Sequence, residues 1–195
     1  MPGGIGMAGV AKTPKYRRFP PASARRSRGQ YLGDRAAPVG MQREPIRSMP
    51  AYSYRGDPAV PPFPDDRPIF FFDGVCVLCT GFADFILRRD RAGVFRVGAA
   101  QSPVGQALYR HYGLDPVRFT TNLLLAEGRP LLKSDAFIEV MARLPMPWPL
   151  FRIMRIAPRG FRDRVYDPIA RNRFSIFGRR ASCRLPTPEE ASRFL

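Results

Sequence analysis

Near the middle of the chain a run of large apolar residues, Ile69-Phe70-Phe71-Phe72, meets Asp73-Gly74 and then two cysteines three apart, Cys76 and Cys79. This stretch limits the fold more than any other. A continuous apolar run of strand length, bounded by Pro68 and an Asp-Gly turn signal, reads as a strand buried on both faces. Beyond the turn, Leu78, Phe82, Phe85 and Ile86 fall at the spacing of one helix face. The cysteines therefore stand where a buried strand becomes a helix. Residues i and i+3 share one side of a helix, about 5–6 Å apart at Cβ, close to what a disulfide requires. Unpaired N–H groups and the helix dipole at a helix start favour a thiolate. The spacing thus predicts Cys76 as the attacking thiol. Cys79, a turn deeper and expected to be the more buried, resolves the mixed disulfide.

The helix ends near Arg88–Arg91, with Gly93 beyond. "VFRV" at 94–97 reads as a second strand. Val104, Ala107, Leu108 and His111 or Tyr112 give a second helix, stopped by Gly113. A third strand spans 121–126, Glu127-Gly128-Arg129 turns the chain, and "PLLK" at 130–133 is a fourth strand. Ser134 is placed to cap a third helix that buries Phe137, Ile138, Met141 and Leu144. The order over 68–144 is β-α-β-α-β-β-α, that of the thioredoxin core. The helix-linked first pair should be parallel and the last pair a hairpin. Phe161, Val165 and Ile169 mark a further helical face. The expected class is α/β, a thioredoxin-like core with one or two extra C-terminal helices and a polar, basic exterior. Residues 1–66 are rich in Pro, Gly, Arg and Ser and have no apolar period. They are expected to be a disordered leader, dispensable for folding to about residue 60, with the domain at 67–195.

Three cysteines do not build the disulfide framework of a secreted domain; a close pair in a reducing compartment is catalytic or metal-binding. Cys76, Cys79, Cys183 and the single histidine, His111, supply a Cys₃His set, but no second close-spaced ligand pair exists, so zinc ranks below the dithiol. No metal or bound cofactor is expected, and Cys183 is expected outside the redox couple. The net charge is +16, and residues 151–195 alone carry eleven basic against four acidic side chains. A solvated basic surface is the favoured meaning and nucleic acid is disfavoured as a partner. No apolar run is long enough to span a bilayer. The expected location is cytoplasmic. The Arg/Ser-rich, acid-poor stretch 11–30 offers an organellar alternative through a transit-like leader.

"FFFDGVCVLCTGFADFILRRD" at 70–90 resembles the opening of the DCC family, whose pattern is matched by Asp73, Gly74, Cys76, Leu78 and Cys79. "LLKSDAFIEVM", "DRVYDPIARNRFSIFGRR" and "CRLPTPEEASRFL" resemble the family's later segments, so the resemblance covers about 68–195. It implies a thioredoxin-like thiol–disulfide oxidoreductase. The expected site is Asp73, Cys76 and Cys79. The expected partners are a disulfide-containing protein or small thiol substrate and an upstream thiol reductant. Thioredoxins place a cis-proline before the third strand; here either Thr120 or Thr121 takes that position or the substrate-docking edge differs. Asp73 either orients the turn through an Asx-type bond or relays a proton for Cys79, the first being favoured. Arg171 and Arg173 either approach the site or are surface charge, the latter favoured. The rival function is a non-catalytic thioredoxin-like binding module whose Arg-rich ends contact a polyanion or protein partner.

Overall fold

The computed structural model describes residues 43–195; residues 1–42 lie outside the described region. Four short strands form one sheet in the order β2-β1-β3-β4. They are β1 (Ile69–Phe72), β2 (Arg96–Ala99), β3 (Leu123–Ala126) and β4 (Arg129–Leu132). β1 runs parallel to β2, with Phe70 opposite Val97, and antiparallel to β3, with Phe70 opposite Leu124. β3 and β4 form a hairpin closed by Glu127 (φ 45°) and Gly128 (φ 72°). Two left-handed residues in succession twist a two-residue loop to match its strands. Gly128 is required a second time, because a side chain there would overlap the Tyr52 ring. With α2 (Val77–Arg89) and α3 (Pro103–His111) between strands and α4 (Lys133–Arg143) after them, the thioredoxin-like order is present as expected.

Alternation along the strands splits the core. Phe70, Phe72, Leu124 and Ala126 face α2 and α4, packing on Ala83, Ile86, Ala136, Val140 and Met141. Ile69, Phe71, Leu123 and Leu125 face the other way, onto Leu108 and Tyr109 of α3. One nine-residue helix does not cover that second face. The gap is closed by α1 (Arg43–Ser48) and the chain that follows it. Ile46 and Tyr54 are buried there and Tyr52 and Phe63 packed against them. Tyr54 donates to Asp65 at 2.6 Å, and His111 holds Asp57 at 2.7 Å and Ser53 at 2.9 Å. The expected boundary at residue 66 is therefore corrected. Residues 46–66 belong to the folded domain, and only the part of the leader before residue 43 lies outside the described region.

Two local expectations also change. β2 starts two residues late because the N–H groups of Val94 and Phe95 are taken by the Asp90 carboxylate, at 2.9 and 2.8 Å. Ser134 is no cap. α4 begins at Lys133 without a side-chain cap, and the Ser134 hydroxyl instead donates to Asp163 at 2.8 Å. After α4 come a 3-10 helix, Trp148–Ile156, and α5 (Arg159–Phe177). Trp148 meets the Phe85 ring edge-on at 4.8 Å. No described helix is long and apolar enough to cross a membrane.

Tyr54→Ala removes a buried ring and the Asp65 bond, and should lower unfolding stability by about 3 kcal/mol or more. A chain begun at Asp65 should melt well below the full chain. Equal melting in calorimetry would show that residues 46–64 merely lie against the domain.

Candidate functional site

Asp73 leaves β1 and enters the turn almost fully buried. One carboxylate oxygen accepts from the Val75 N–H at 3.2 Å and from the Gln101 amide at 2.6 Å; the other accepts from the Arg173 guanidinium at 2.9 Å. The Gln101 amide oxygen in turn accepts from the Gly74 N–H at 3.0 Å, so one side chain clamps both ends of the turn. The favoured Asx-type role of Asp73 is thus present, joined by an ion pair. The expectation of Arg173 as surface charge is corrected. Burial of Asp73 demands a buried cation, and Arg173, projecting inward from α5, supplies it. Arg171 is exposed, as expected.

Cys76 is the N-cap of α2, and its sulfur accepts from the Cys79 N–H at 3.4 Å. Contrary to expectation, Cys76 is wholly buried, while Cys79 keeps part of its surface open. The reason lies after α5. The extended segment 178–184 crosses the dithiol turn. Cys76 bridges Arg179, the Arg180 N–H donates to the Val75 carbonyl at 2.8 Å, and the Arg184 N–H donates to the Gly74 carbonyl at 3.1 Å. The Cys183 sulfur lies so close to Gly74 that a methyl group there would overlap it. Sequence spacing gave no hint of this position. All three cysteines are free thiols.

Cys79 opens onto a largely apolar cavity of about 270 Å³ walled by Leu78, Phe82, Thr120, Thr121, Tyr166 and Arg173. Both threonines expected in the cis-proline place reach it. Beside them Phe119 is left-handed (φ 47°), a strained state for an aromatic residue. It is held between two anchors: Tyr109 donates to the Thr121 carbonyl at 2.7 Å and Arg173 to the Arg118 carbonyl at 2.8 Å.

The profile of the DCC1-like thiol-disulfide oxidoreductase family matches residues 70–179, from β1 to the start of the segment that covers Cys76. The chain belongs to this family. The Bacillus subtilis protein YuxK is 40% identical over 127 residues, covering 65% of this chain and 93% of that one. A chloroplastic DCC family protein of Arabidopsis thaliana is 38% identical over 122 residues, covering 62% and 71%. No solved structure matches the chain significantly. Membership makes the chain similar to thiol–disulfide oxidoreductases as a class, and Cys76 and Cys79 both lie within the matched residues. It lends no weight to the zinc alternative. Among the described residues no group of three or more His, Cys, Asp or Glu side chains is placed to hold a metal ion, and both His111 nitrogens are engaged by Ser53 and Asp57.

The two thiols of the family motif are electrostatically unequal. A thiol–thiolate hydrogen bond from Cys79 brings the Cys76 thiol down to about 6, against desolvation, with the Cys79 N–H and Arg173 helping and Asp73 opposing. The same bond, with burial, pushes Cys79 far up. The fold thus favours the Cys76 thiolate. That stabilisation is complete above the ordinary thiol value and is lost as pH falls through about 6.

In the reduced protein the rate of Cys76 alkylation should rise with a midpoint near pH 6. Arg173→Met should move that midpoint up and Asp73→Asn should move it down. Each should lower unfolding stability by about 3 kcal/mol or more, because a buried charge loses its partner. Midpoints moving in the same direction would contradict the charge arrangement.

Proposed function

We propose that the chain is a thiol–disulfide oxidoreductase of the protein-disulfide reductase type, in which Cys76 attacks and Cys79 resolves. What supports this most is the unequal dithiol, the hydrogen bond between the thiols bringing Cys76 down to about 6 and, with burial, pushing Cys79 up. The Cys76 thiolate attacks one sulfur of a substrate disulfide. A mixed disulfide forms and the other substrate sulfur leaves as a thiolate. With the Cys76 charge consumed, Cys79 no longer has a thiolate to stabilise, and its proton passes to the departing thiolate. Cys79, now a thiolate, attacks the Cys76 sulfur, releasing the second substrate sulfur as a thiolate that takes its proton from water and leaving the Cys76–Cys79 disulfide. Two electrons have moved to the substrate, and an upstream thiol reductant must return them. Asp73 acts as a positioning residue, holding the turn and the Arg173 charge. The cavity at Cys79 suits an apolar group next to the substrate disulfide. A reducing compartment suits three unpaired cysteines. The chloroplastic relative favours the organellar alternative over the cytoplasmic one.

Cys79→Ser should accumulate a mixed disulfide through Cys76 when offered a disulfide peptide, because the resolving thiol is gone. Cys76→Ser should accumulate at least about tenfold less, since burial still disfavours the Cys79 thiolate after the Cys76 charge is removed. Mass spectrometry of the trapped adducts reads both. Equal trapping through Cys79 would refute the assignment of roles. Cys183→Ser should leave formation of the Cys76–Cys79 disulfide intact.

A further inference from the structure

In a 3-10 helix three residues make a turn, so positions three apart stand in one column. Trp148–Ile156 therefore presents three columns. In the first column Trp148 and Phe151 turn toward the body of the domain, where Trp148 meets Phe85 at 4.8 Å and Phe151 meets Phe137 at 5.8 Å. Arg152 and Arg155 lie along α4, bonded to the Ala142 carbonyl and the Glu139 carboxylate. The third column is Leu150, Ile153 and Ile156, exposed by 63%, 69% and 81%. The outward column of a surface helix is ordinarily polar; this one is entirely aliphatic. After Ala157 and Pro158 the pattern continues in α5, where Phe161, Val165 and Ile169, four residues apart, are all exposed. Eleven of the fourteen exposed large apolar side chains among the described residues fall between 146 and 177.

Scattered exposed apolar residues need no explanation, but a concentration of this kind marks an interaction surface. Its charge narrows the choice of partner. Residues 146–177 hold seven arginines and two aspartates. Both aspartates are engaged within the domain, Asp163 by Ser134 and Asp167 by Lys133. Arg164 and Arg171 are exposed on α5 and make no hydrogen bond or ion pair among the described residues. A second copy of a chain carrying +16 would bring like charge to this face. An anionic membrane instead offers a negative headgroup layer over hydrocarbon. Aliphatic and aromatic side chains insert while arginines stay at headgroup level.

We propose that the edge made by Trp148–Ile156 and the outer face of α5 docks on an anionic lipid surface, lying in the interface without spanning it. This docking does not depend on the redox role of the cysteines. It does have a consequence for them, because Ile169 belongs both to the exposed stripe and to the wall of the cavity at Cys79. Docking would set that cavity beside the headgroups.

The test uses the full chain, reduced, with vesicles of phosphatidylcholine alone or mixed with phosphatidylglycerol. Trp148 is the single tryptophan, so brominated lipid reports its depth directly. Binding and quenching are expected with the mixed vesicles, weakening as salt rises. The double variant Ile153→Ser/Ile156→Ser keeps every charge and alters only exposed positions. Its affinity should fall about tenfold or more, with quenching lost. Unchanged binding by this variant would place the attachment on basic chain elsewhere and overturn the proposal. Equal binding to neutral vesicles would overturn its electrostatic half. Absence of vesicle binding, with or without a dimer that Ile153→Ser dissociates in sedimentation, would overturn it entirely.

Discussion

The Asp73–Arg173 pair spans one hundred residues and fixes the parts of the site relative to one another. A carboxylate taken out of water costs several kcal/mol unless it is matched. Asp73 is matched by the Val75 N–H, the Gln101 amide and the Arg173 guanidinium. Arg173 also donates to the carbonyls of Ala170 and Arg118. One guanidinium therefore joins the dithiol turn, helix α5 and the loop that carries Phe119 to Thr121. The segment over Cys76 follows directly from α5, so its path is set by the same pair.

Much of this was readable from local pattern. The apolar run at 69–72, the helix period after it and the Glu127-Gly128 turn each dictate one element, and the helix-linked strands had to be parallel. Cys76, Cys79 and Asp73 were visible because their spacing is local. Arg173 was not. It is one of eleven basic residues in 151–195, and its meaning depends on a carboxylate one hundred positions away. The packed part of the leader was missed for a related reason. Ile46, Tyr52, Tyr54 and Phe63 follow no period, because they fill a gap left by α3 rather than build an element of their own. Aromatic residues inside a Pro-rich stretch were the available signal. The late start of β2 and the uncapped start of α4 reflect single side chains, Asp90 and Asn122, claiming backbone N–H groups.

The two thiols divide chemistry and access between them. Cys76 has the charge and is covered; Cys79 has the opening and keeps its proton. The hydrogen bond between the two thiols sets the charge on one and the proton on the other. Cover and opening come from tertiary placement. A strap of backbone hydrogen bonds covers one sulfur, and a cavity between α2, α5 and the Thr120–Thr121 loop reaches the other. In the proposed mechanism a substrate disulfide can reach the Cys76 sulfur only if the strap moves aside.

The cover over Cys76 has a chemical consequence of its own. Peroxide oxidises thiolates, and a thiolate present at neutral pH passes readily to sulfenic and then irreversible sulfinic acid. Behind segment 178–184 this sulfur has no solvent-exposed surface, which shields it from dissolved oxidant. Gly74 is what allows the closure to be tight, since a Cβ at that position would overlap the Cys183 sulfur.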